Sequence, residues 1–491
     1  MRLADHKMTI ADVDLGGMDA ESDPDLSDYF LTTSHVDAAY NSKAHIFLGR
    51  KGSGKSSIFS QMPRLAGTYR PGTHVLLLNP DVYAWRTLRS YSEKGISSEL
   101  AHANAWRFTL ALELGLYLLA ADLEWTFEAR KGLRKFKDFV GQNFGRDSSG
   151  SLKATSGVLK SLDSFNLSAF GFAAGASRRA PERLELTPDV TNAMFESLDT
   201  ALKEQPVIVA FDRLDDAWDG SSESKSLLIG LLKASKETND AYRASRGQKP
   251  TLRVVTFLRA DIYDSLTFDD KDKHRPFEQQ ITWDEEELRD LIARRLPEQV
   301  SADELFEDGL MRGSVKPFDH ILKRTFLRPR EVLQFIDLCL KTSNSAAGEV
   351  SKEVIREAEN RFSSWKVEDL KQEYAKSTPP LPPLVEALRQ QVHRYDSFED
   401  LVATLKSREQ ELVNRLGERE ALQILFDASV LGIRVSGAGA TRFKATSPEL
   451  ALPAAGVIYI HQGLYKGLNL TETRKSRDTE ADLSDPDTED S

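Results

Sequence analysis

Eight residues, Gly49-Arg50-Lys51-Gly52-Ser53-Gly54-Lys55-Ser56, match the spacing GxxxxGK[ST], with the apolar run His45-Ile46-Phe47-Leu48 before them and the helix-compatible Ser57-Ile58-Phe59-Ser60-Gln61-Met62 after them. Backbone N–H groups wrap a polyphosphate only where side chains are absent and glycine dihedrals are allowed, so the glycine spacing carries the chemistry. In this reading Gly49, Gly52, Ser53, Gly54, Lys55, Ser56 and Ser57 surround the phosphates, Lys55 reaches the β and γ phosphates, and Ser56 is a ligand for Mg²⁺. The helix that begins there turns the positive end of its dipole toward the same anion.

A second element supplies acid. Pro206-Val207-Ile208-Val209-Ala210-Phe211 is a short β-branched run that ends in Asp212-Arg213-Leu214-Asp215-Asp216. It reads as a buried parallel strand that delivers a carboxylate at its C-terminal end, where ligands of open α/β sheets bind. Asp212 is expected to hold Mg²⁺ through water, and Asp215 or Asp216, a turn further on, to orient or deprotonate an attacking water. Hydrolytic sites of this kind place Glu directly after the first Asp, and here that position is Arg213. A further strand, Thr251 to Asp261, ends in a polar group, so Arg259 or Asp261 is a candidate to sense the γ-phosphate. In Phe326-Leu327-Arg328-Pro329-Arg330-Glu331, arginine opens a helix. Arg330, or failing it Arg328, is then a candidate to couple phosphate state to the position of a lid, with a surface salt bridge as the plainer alternative.

The elements that must position these residues are ordinary in composition. The chain has 491 residues, 40% hydrophobic and 29% charged, enough for two or three domains with a sizeable core. Its one cysteine, Cys339, lies in an apolar run and excludes a disulfide framework. The formal net charge of −11 argues against a surface that wraps nucleic acid throughout. No signal peptide and no apolar run of membrane-spanning length is visible, so a cytoplasmic protein with no membrane contact is expected.

The expected fold is α/β, a parallel sheet with a helical lid and a C-terminal domain. Residues 1–27 read as a loosely ordered lead and 28–299 as the nucleotide core. In the core, Thr73 to Asn79 is a second strand and Phe277 to Thr282 a fifth. Between them, Glu99 to about Val140 has helical periodicity, and its Trp106, Phe108, Tyr117 and Trp125 read as helix core. Residues 141–182, rich in Gly and Ser with Arg178-Arg179 near the end, read as an insertion, either a passive loop or an arm that touches a partner or nucleic acid. Residues 300–378 form the lid, and Thr378-Pro379-Pro380-Leu381-Pro382-Pro383 a stiff boundary. In 379–470, helices followed by short strands predict a winged-helix-like domain. Ten Lys/Arg balance ten Asp/Glu between residues 381 and 470, so that domain lacks a concentrated positive face. His461 reads as packed, having no second ligand at helical spacing, and 471–491 as an acidic disordered tail.

Taken together, Gly49–Ser56, Phe211-Asp212-Arg213-Leu214-Asp215-Asp216, Phe257 to Asp261 and Arg328-Pro329-Arg330 resemble the STAND and AAA-like branch of P-loop ATPases. They are most similar to a little-characterised bacterial group whose Walker B strand reads FDRLD. The resemblance implies an ASCE-type sheet, ATP and Mg²⁺ as cofactors, an acid role for Asp215, a sensor role for Pro329-Arg330 and a winged-helix ending. It also implies bacterial anti-phage defence as a setting. The expected function is a Mg²⁺-dependent ATPase that acts as a molecular switch on a protein partner or effector and forms a homo-oligomer. Two alternatives stay open: a nucleic-acid-dependent motor or loader, and an ATP-gated scaffold with little hydrolysis.

Overall fold

Runs of aliphatic and β-branched residues without polar alternation form strands only if both faces are covered. In the computed structural model five parallel strands, β1 (Ile46–Gly49), β2 (His74–Leu78), β3 (Val207–Phe211), β4 (Leu252–Arg259) and β5 (Glu278–Gln280), line up in the order β2-β3-β4-β1-β5. Every residue of β1 and β3 is buried, and β4 is buried up to its last residue, while the edge strands β2 and β5 are half-covered. Gly49 pairs with Arg259, and Phe211 with Thr256, so the carboxyl ends of β1, β3 and β4 share one edge of the sheet.

The structure describes residues 8–80, 98–144, 188–216, 218–243, 248–297, 300–311, 313–434 and 440–471. Most of the 141–182 insertion, Arg178-Arg179 included, and the tail beyond 471 lie outside the described residues. The chain divides into two compact units, one of Ser34–Gly49 and Lys55–Gln280, the other of Met1–Thr33, Arg50–Gly54 and Ile281–Ser491.

The first unit holds the sheet. Its helices are α1 (Ser34–Asn41), α2 (Lys55–Tyr69), α3 (Ser98–Ala120), α4 (Phe127–Phe144), α5 (Pro188–Glu204), α6 (Ser222–Ala241) and α7 (Ala260–Ser265). Helix α3 packs on α5 and α6, and α4 on α5. Trp106 and Phe108 are fully buried in this core and Tyr117 packs against it, so the aromatic stripe of α3 is helix core. Trp125 also packs against it but lies between α3 and α4 and not on a helix, a break in the expected helical run.

The second unit has two cores. One joins α8 (Glu285–Ala293), α9 (Pro317–Leu322), α10 (Pro329–Thr342) and the first half of α11 (Lys352–Tyr374), and buries Cys339. The other joins the second half of α11 to α12 (Leu381–Ala387), α13 (Phe398–Leu416), α14 (Glu418–Asp427) and an antiparallel sheet. That sheet has the order β6-β9-β7-β8, from β6 (Arg394–Tyr395), β7 (Leu431–Arg434), β8 (Thr441–Phe443) and β9 (Ile458–Ile460). Helix α11, about 34 Å long at 1.5 Å per residue, is the beam between them. Its Ile355, Ala358 and Phe362 face one core, and its Val367, Leu370 and Tyr374 the other. No helix among the described residues is long and apolar enough to cross a membrane.

Several expectations need correction. The lead is not loose between residues 10 and 26: Ile10 and Leu15 are buried, the Ile10 and Ala11 amides donate to Ala347 and Ser345 carbonyls at 2.8 and 3.0 Å, and Arg295 reaches the Leu15 and Gly17 carbonyls. The lid does not begin at 300, because Leu288, Leu291 and Ile292 of α8 share its core. The proline cluster is not a linker boundary. Pro382 and Pro383 sit in the first turn of α12, where a missing N–H removes nothing, and Leu381, Leu384 and Val385 are fully buried against α11. Strand β6 was unforeseen, being only two residues long.

Candidate functional site

The loop between β1 and α2 needs its glycines. Gly52 and Gly54 have φ of +80° and +93°, a region costly for any residue with a Cβ, and the Ser53 amide closes a turn on the Arg50 carbonyl at 3.1 Å. Lys55, the first residue of α2, is buried and donates its Nζ to the Gly49 carbonyl at 2.9 Å. Ser57 follows in the first turn of the same helix.

Asp212 leaves β3 with only 3% of its surface exposed, its amide bonded to the Leu78 carbonyl at 3.2 Å. Burial pushes its carboxyl above the usual carboxylate range. The Ser56 hydroxyl, hydrogen-bonded to it, and the Lys55 charge pull the other way, while the charge of Asp215 adds to the upward push. Asp212 Oδ2 is buried with no hydrogen-bond partner among the described residues. A buried, unpaired carboxylate oxygen beside a serine hydroxyl is a hard oxygen donor set, which fits Mg²⁺. No cluster of three or more His, Cys, Asp or Glu able to hold a metal occurs among the described residues. Ser56 and Asp212 would hold such an ion with few protein ligands, leaving part of its shell to groups that the protein does not supply.

After Asp212 the chain turns sharply. Arg213 adopts φ +58°, and the Asp216 and Trp218 amides bond back to the Arg213 and Asp215 carbonyls at 3.3 and 3.1 Å. The turn separates the two candidate acids. Asp216 pairs with Arg213 at 3.6 Å on the surface, whereas Asp215 meets the Arg259 guanidinium at 3.5 Å. Arg259 is in turn held at two points by Asp261, at 3.1 and 2.8 Å. The two sensor alternatives are thus partners in one ion pair, and that pair reaches Asp215.

In the second unit, residues 50–53 are engaged by side chains and backbone of the later part of the chain. The Arg330 amide lies 3.4 Å from the Gly52 carbonyl, and its side chain packs so closely that a Cβ on Gly52 would sit 2.9 Å from the Arg330 Cβ. Arg328 is not a free sensor. It is buried, pairs with Glu373 at 2.9 Å and Glu331 at 3.6 Å, and donates to the Lys51 carbonyl at 3.2 Å. Burial opposes its charge, but Glu373 and Glu331 outweigh it and raise its affinity for the proton. Lys366, on the ring face of Phe326 at 3.5 Å, completes the cluster by pairing with Glu331, and burial pushes it down to about 8.

Four residues in this region escaped the sequence reading. The Trp283 indole N–H donates to the Ser53 carbonyl at 2.8 Å, the Glu373 carboxylate accepts from the Lys51 amide at 3.3 Å, and the Arg50 guanidinium donates to the Asp427 and Ala428 carbonyls. The signal for Glu373 was present: an acid between Leu370 and Tyr374 on the apolar stripe of a helix must be paired. Trp283 directly follows the expected fifth strand, and Asp427 and Ala428 engage through their backbone, which no side-chain pattern encodes.

His461 is packed as expected, its ring edge-on to Phe326 and Phe443, with Nδ1 accepting from the Gly463 amide at 3.1 Å.

Comparison with known proteins touches two parts of this picture. Residues 286–371, which run from α8 into α11, match the family described as the FunZ-associated C-terminal helical domain. The whole chain is also similar to a protein of Escherichia coli (strain K12) named as an 80.3 kDa protein of transposon gamma-delta. The two are 22% identical over 524 aligned positions, covering 96% of this chain and 69% of the relative.

Proposed function

We propose that this chain is a Mg²⁺-dependent ATPase of the P-loop class that works as a nucleotide-driven switch on a partner protein or assembly. The observation that carries the reading is the meeting of Lys55, Ser56 and Asp212, with one Asp212 oxygen buried and unpaired. The sheet order supports it, since the strand of Arg259 lies between those of Gly49 and Asp212, as in ASCE-type sheets. The order helix, strand, helix, helix and three strands in residues 381–460, with β7 paired between β8 and β9, supports the winged-helix reading of the last domain.

In this mechanism the glycine loop and Lys55 bind the triphosphate, and Ser56 and Asp212 hold Mg²⁺. Bound there, the ion supplies charge neutralisation between the phosphates. Asp215, fixed by Arg259, orients the attacking water and accepts its proton. Arg213 in the place of Glu leaves that duty to Asp215, two positions on, and this favours slow turnover, the behaviour of a switch or an ATP-gated scaffold. Anti-phage defence remains the setting we infer from the resemblance, and the transposon name of the relative makes DNA the nucleic acid to test first for a motor or loader.

The test is ATP turnover with Mg²⁺, with and without DNA, for the wild type, Lys55→Ala and Asp215→Ala, with mass in solution recorded alongside. Turnover lost in both variants is expected. Wild-type protein that neither binds nor hydrolyses ATP overturns the reading, ATP-dependent assembly without turnover selects the scaffold, and stimulation by DNA selects the motor.

A further inference from the structure

The main chain of the glycine loop is held from outside by a closed ring of hydrogen bonds. Lys51 donates its amide to Glu373 Oε1 at 3.3 Å, Glu373 Oε2 accepts from the terminal nitrogen NH1 of Arg328 at 2.9 Å, and the same nitrogen donates to the Lys51 carbonyl at 3.2 Å. That nitrogen carries two hydrogens, and the ring uses both. The next two carbonyls are taken as well, Gly52 by the Arg330 amide and Ser53 by the Trp283 indole.

Pinning carbonyls has a consequence for amides. In a planar trans peptide the C=O and the following N–H point in opposite directions. The Ser53 N–H is taken within the loop by the Arg50 carbonyl, and fixing the carbonyls of Lys51 and Ser53 turns the N–H groups of Gly52 and Gly54 away from the frame. Those are donors that a phosphate-binding loop presents to its anion. With two glycines at positive φ the loop has many alternatives when free, so an external frame removes an entropic cost that anion binding must otherwise meet.

Resting on the phosphate-loop reading above, we infer that the buried Glu373–Arg328 pair and Trp283 are positioning residues for ATP binding. They touch no phosphate and act by holding the loop with its amides aimed. Arg328 and Glu373 are 45 positions apart, and Trp283, Arg328 and Glu373 lie 230, 277 and 322 positions from the loop residues they hold, so the frame belongs to the tertiary fold and is invisible in the motif itself.

The experiment is calorimetric titration of MgATP, together with KM and kcat, on full-length wild type, Lys55→Ala, Glu373→Ala, Glu373→Gln and Trp283→Phe, each checked for thermal unfolding. Glu373→Ala is expected to weaken binding by about tenfold, the scale of one hydrogen bond to a charged group, and to raise KM with kcat little changed. Glu373→Gln, whose carboxamide oxygen still accepts one bond, recovers part of the loss. Trp283→Phe removes one hydrogen bond from a half-buried ring and weakens binding several-fold, so it carries the test if Glu373→Ala fails to fold. Wild-type affinity in folded Glu373→Gln and Trp283→Phe, with Lys55→Ala defective, overturns this inference alone. A folded wild type that binds no ATP removes the phosphate-loop reading and this inference with it.

Discussion

Arg259 and Asp261, two residues apart where β4 passes into α7, form a two-point ion pair, with Nε on Oδ1 at 3.1 Å and a terminal nitrogen on Oδ2 at 2.8 Å. The Asp261 side chain is only 5% exposed and the Arg259 side chain 13%, so neither charge tolerates the loss of the other. The same guanidinium reaches Asp215, which ties that acid to the strand end.

Removing one partner of that pair should therefore cost more than removing both. Arg259→Ala is expected to lower unfolding free energy by about 3 kcal/mol, and Arg259→Ala/Asp261→Ala to recover most of it. Chemical denaturation of the two single variants and the double variant measures the coupling. Strictly additive losses would mean that the ion pair does not hold this strand end.

Asp212 predicts a trade between stability and function. Its carboxyl is pushed up by burial, so the folded state favours the proton. With the folded value above the unfolded one, this group adds stability at acid pH and loses it as pH rises past the ordinary carboxylate range of about 3.8. Asp212→Asn removes that penalty at neutral pH. The metal-free variant is expected to melt at a higher temperature than wild type, while Mg²⁺ no longer raises its melting temperature in the presence of ATP. Melting curves with and without MgATP check both halves.

Gly52 combines positive φ with close contact to Arg330, so Gly52→Ala has two faults at once: strain of about 1–2 kcal/mol at the loop and a forced shift of the Arg330 side chain. Gly72, also at positive φ but with open space around it, is the control. Gly52→Ala is expected to lose ATP binding with a modest fall in stability, and Gly72→Ala to show the fall in stability alone.

How much of this was legible in sequence depended on where the information lay. The buried strands β1, β3 and β4 announce themselves as unbroken apolar runs, and Asp212 is marked by standing at the end of one. Proline misled at 379–383 because the same residue stiffens linkers and opens helices, and only the buried Leu381, Leu384 and Val385 decide between them. The contact of Arg259 with Asp215 could not be read, since it depends on the parallel register of β3 and β4, whereas its pairing with Asp261 is local. The frame around Lys51 was hidden for a stronger reason: backbone carbonyls and amides have no residue type, so a loop held through its main chain leaves no motif.

The helical core of α8 to α11 contains a buried carboxylate that should make it sensitive to acid. Burial alone would raise the Glu359 carboxyl, but His320 Nε2 at 2.9 Å and the Arg324 guanidinium at 2.6 Å outweigh it and hold the carboxyl at about 2. The unfolded chain binds that proton near the ordinary 4.5, so the folded state's advantage is complete above that value and is lost as pH falls from there toward 2. A shift of this size corresponds to about 3 kcal/mol in order of magnitude. Glu359→Gln keeps the shape and one acceptor but has no proton to take up. Urea unfolding from pH 7 to pH 3 is expected to show wild type clearly more stable than Glu359→Gln at neutral pH, with the gap narrowing below pH 4.5. A gap that stays constant across that range would mean that the ion pair with Arg324 contributes no pH-dependent stability, and that the acid response of this core arises elsewhere.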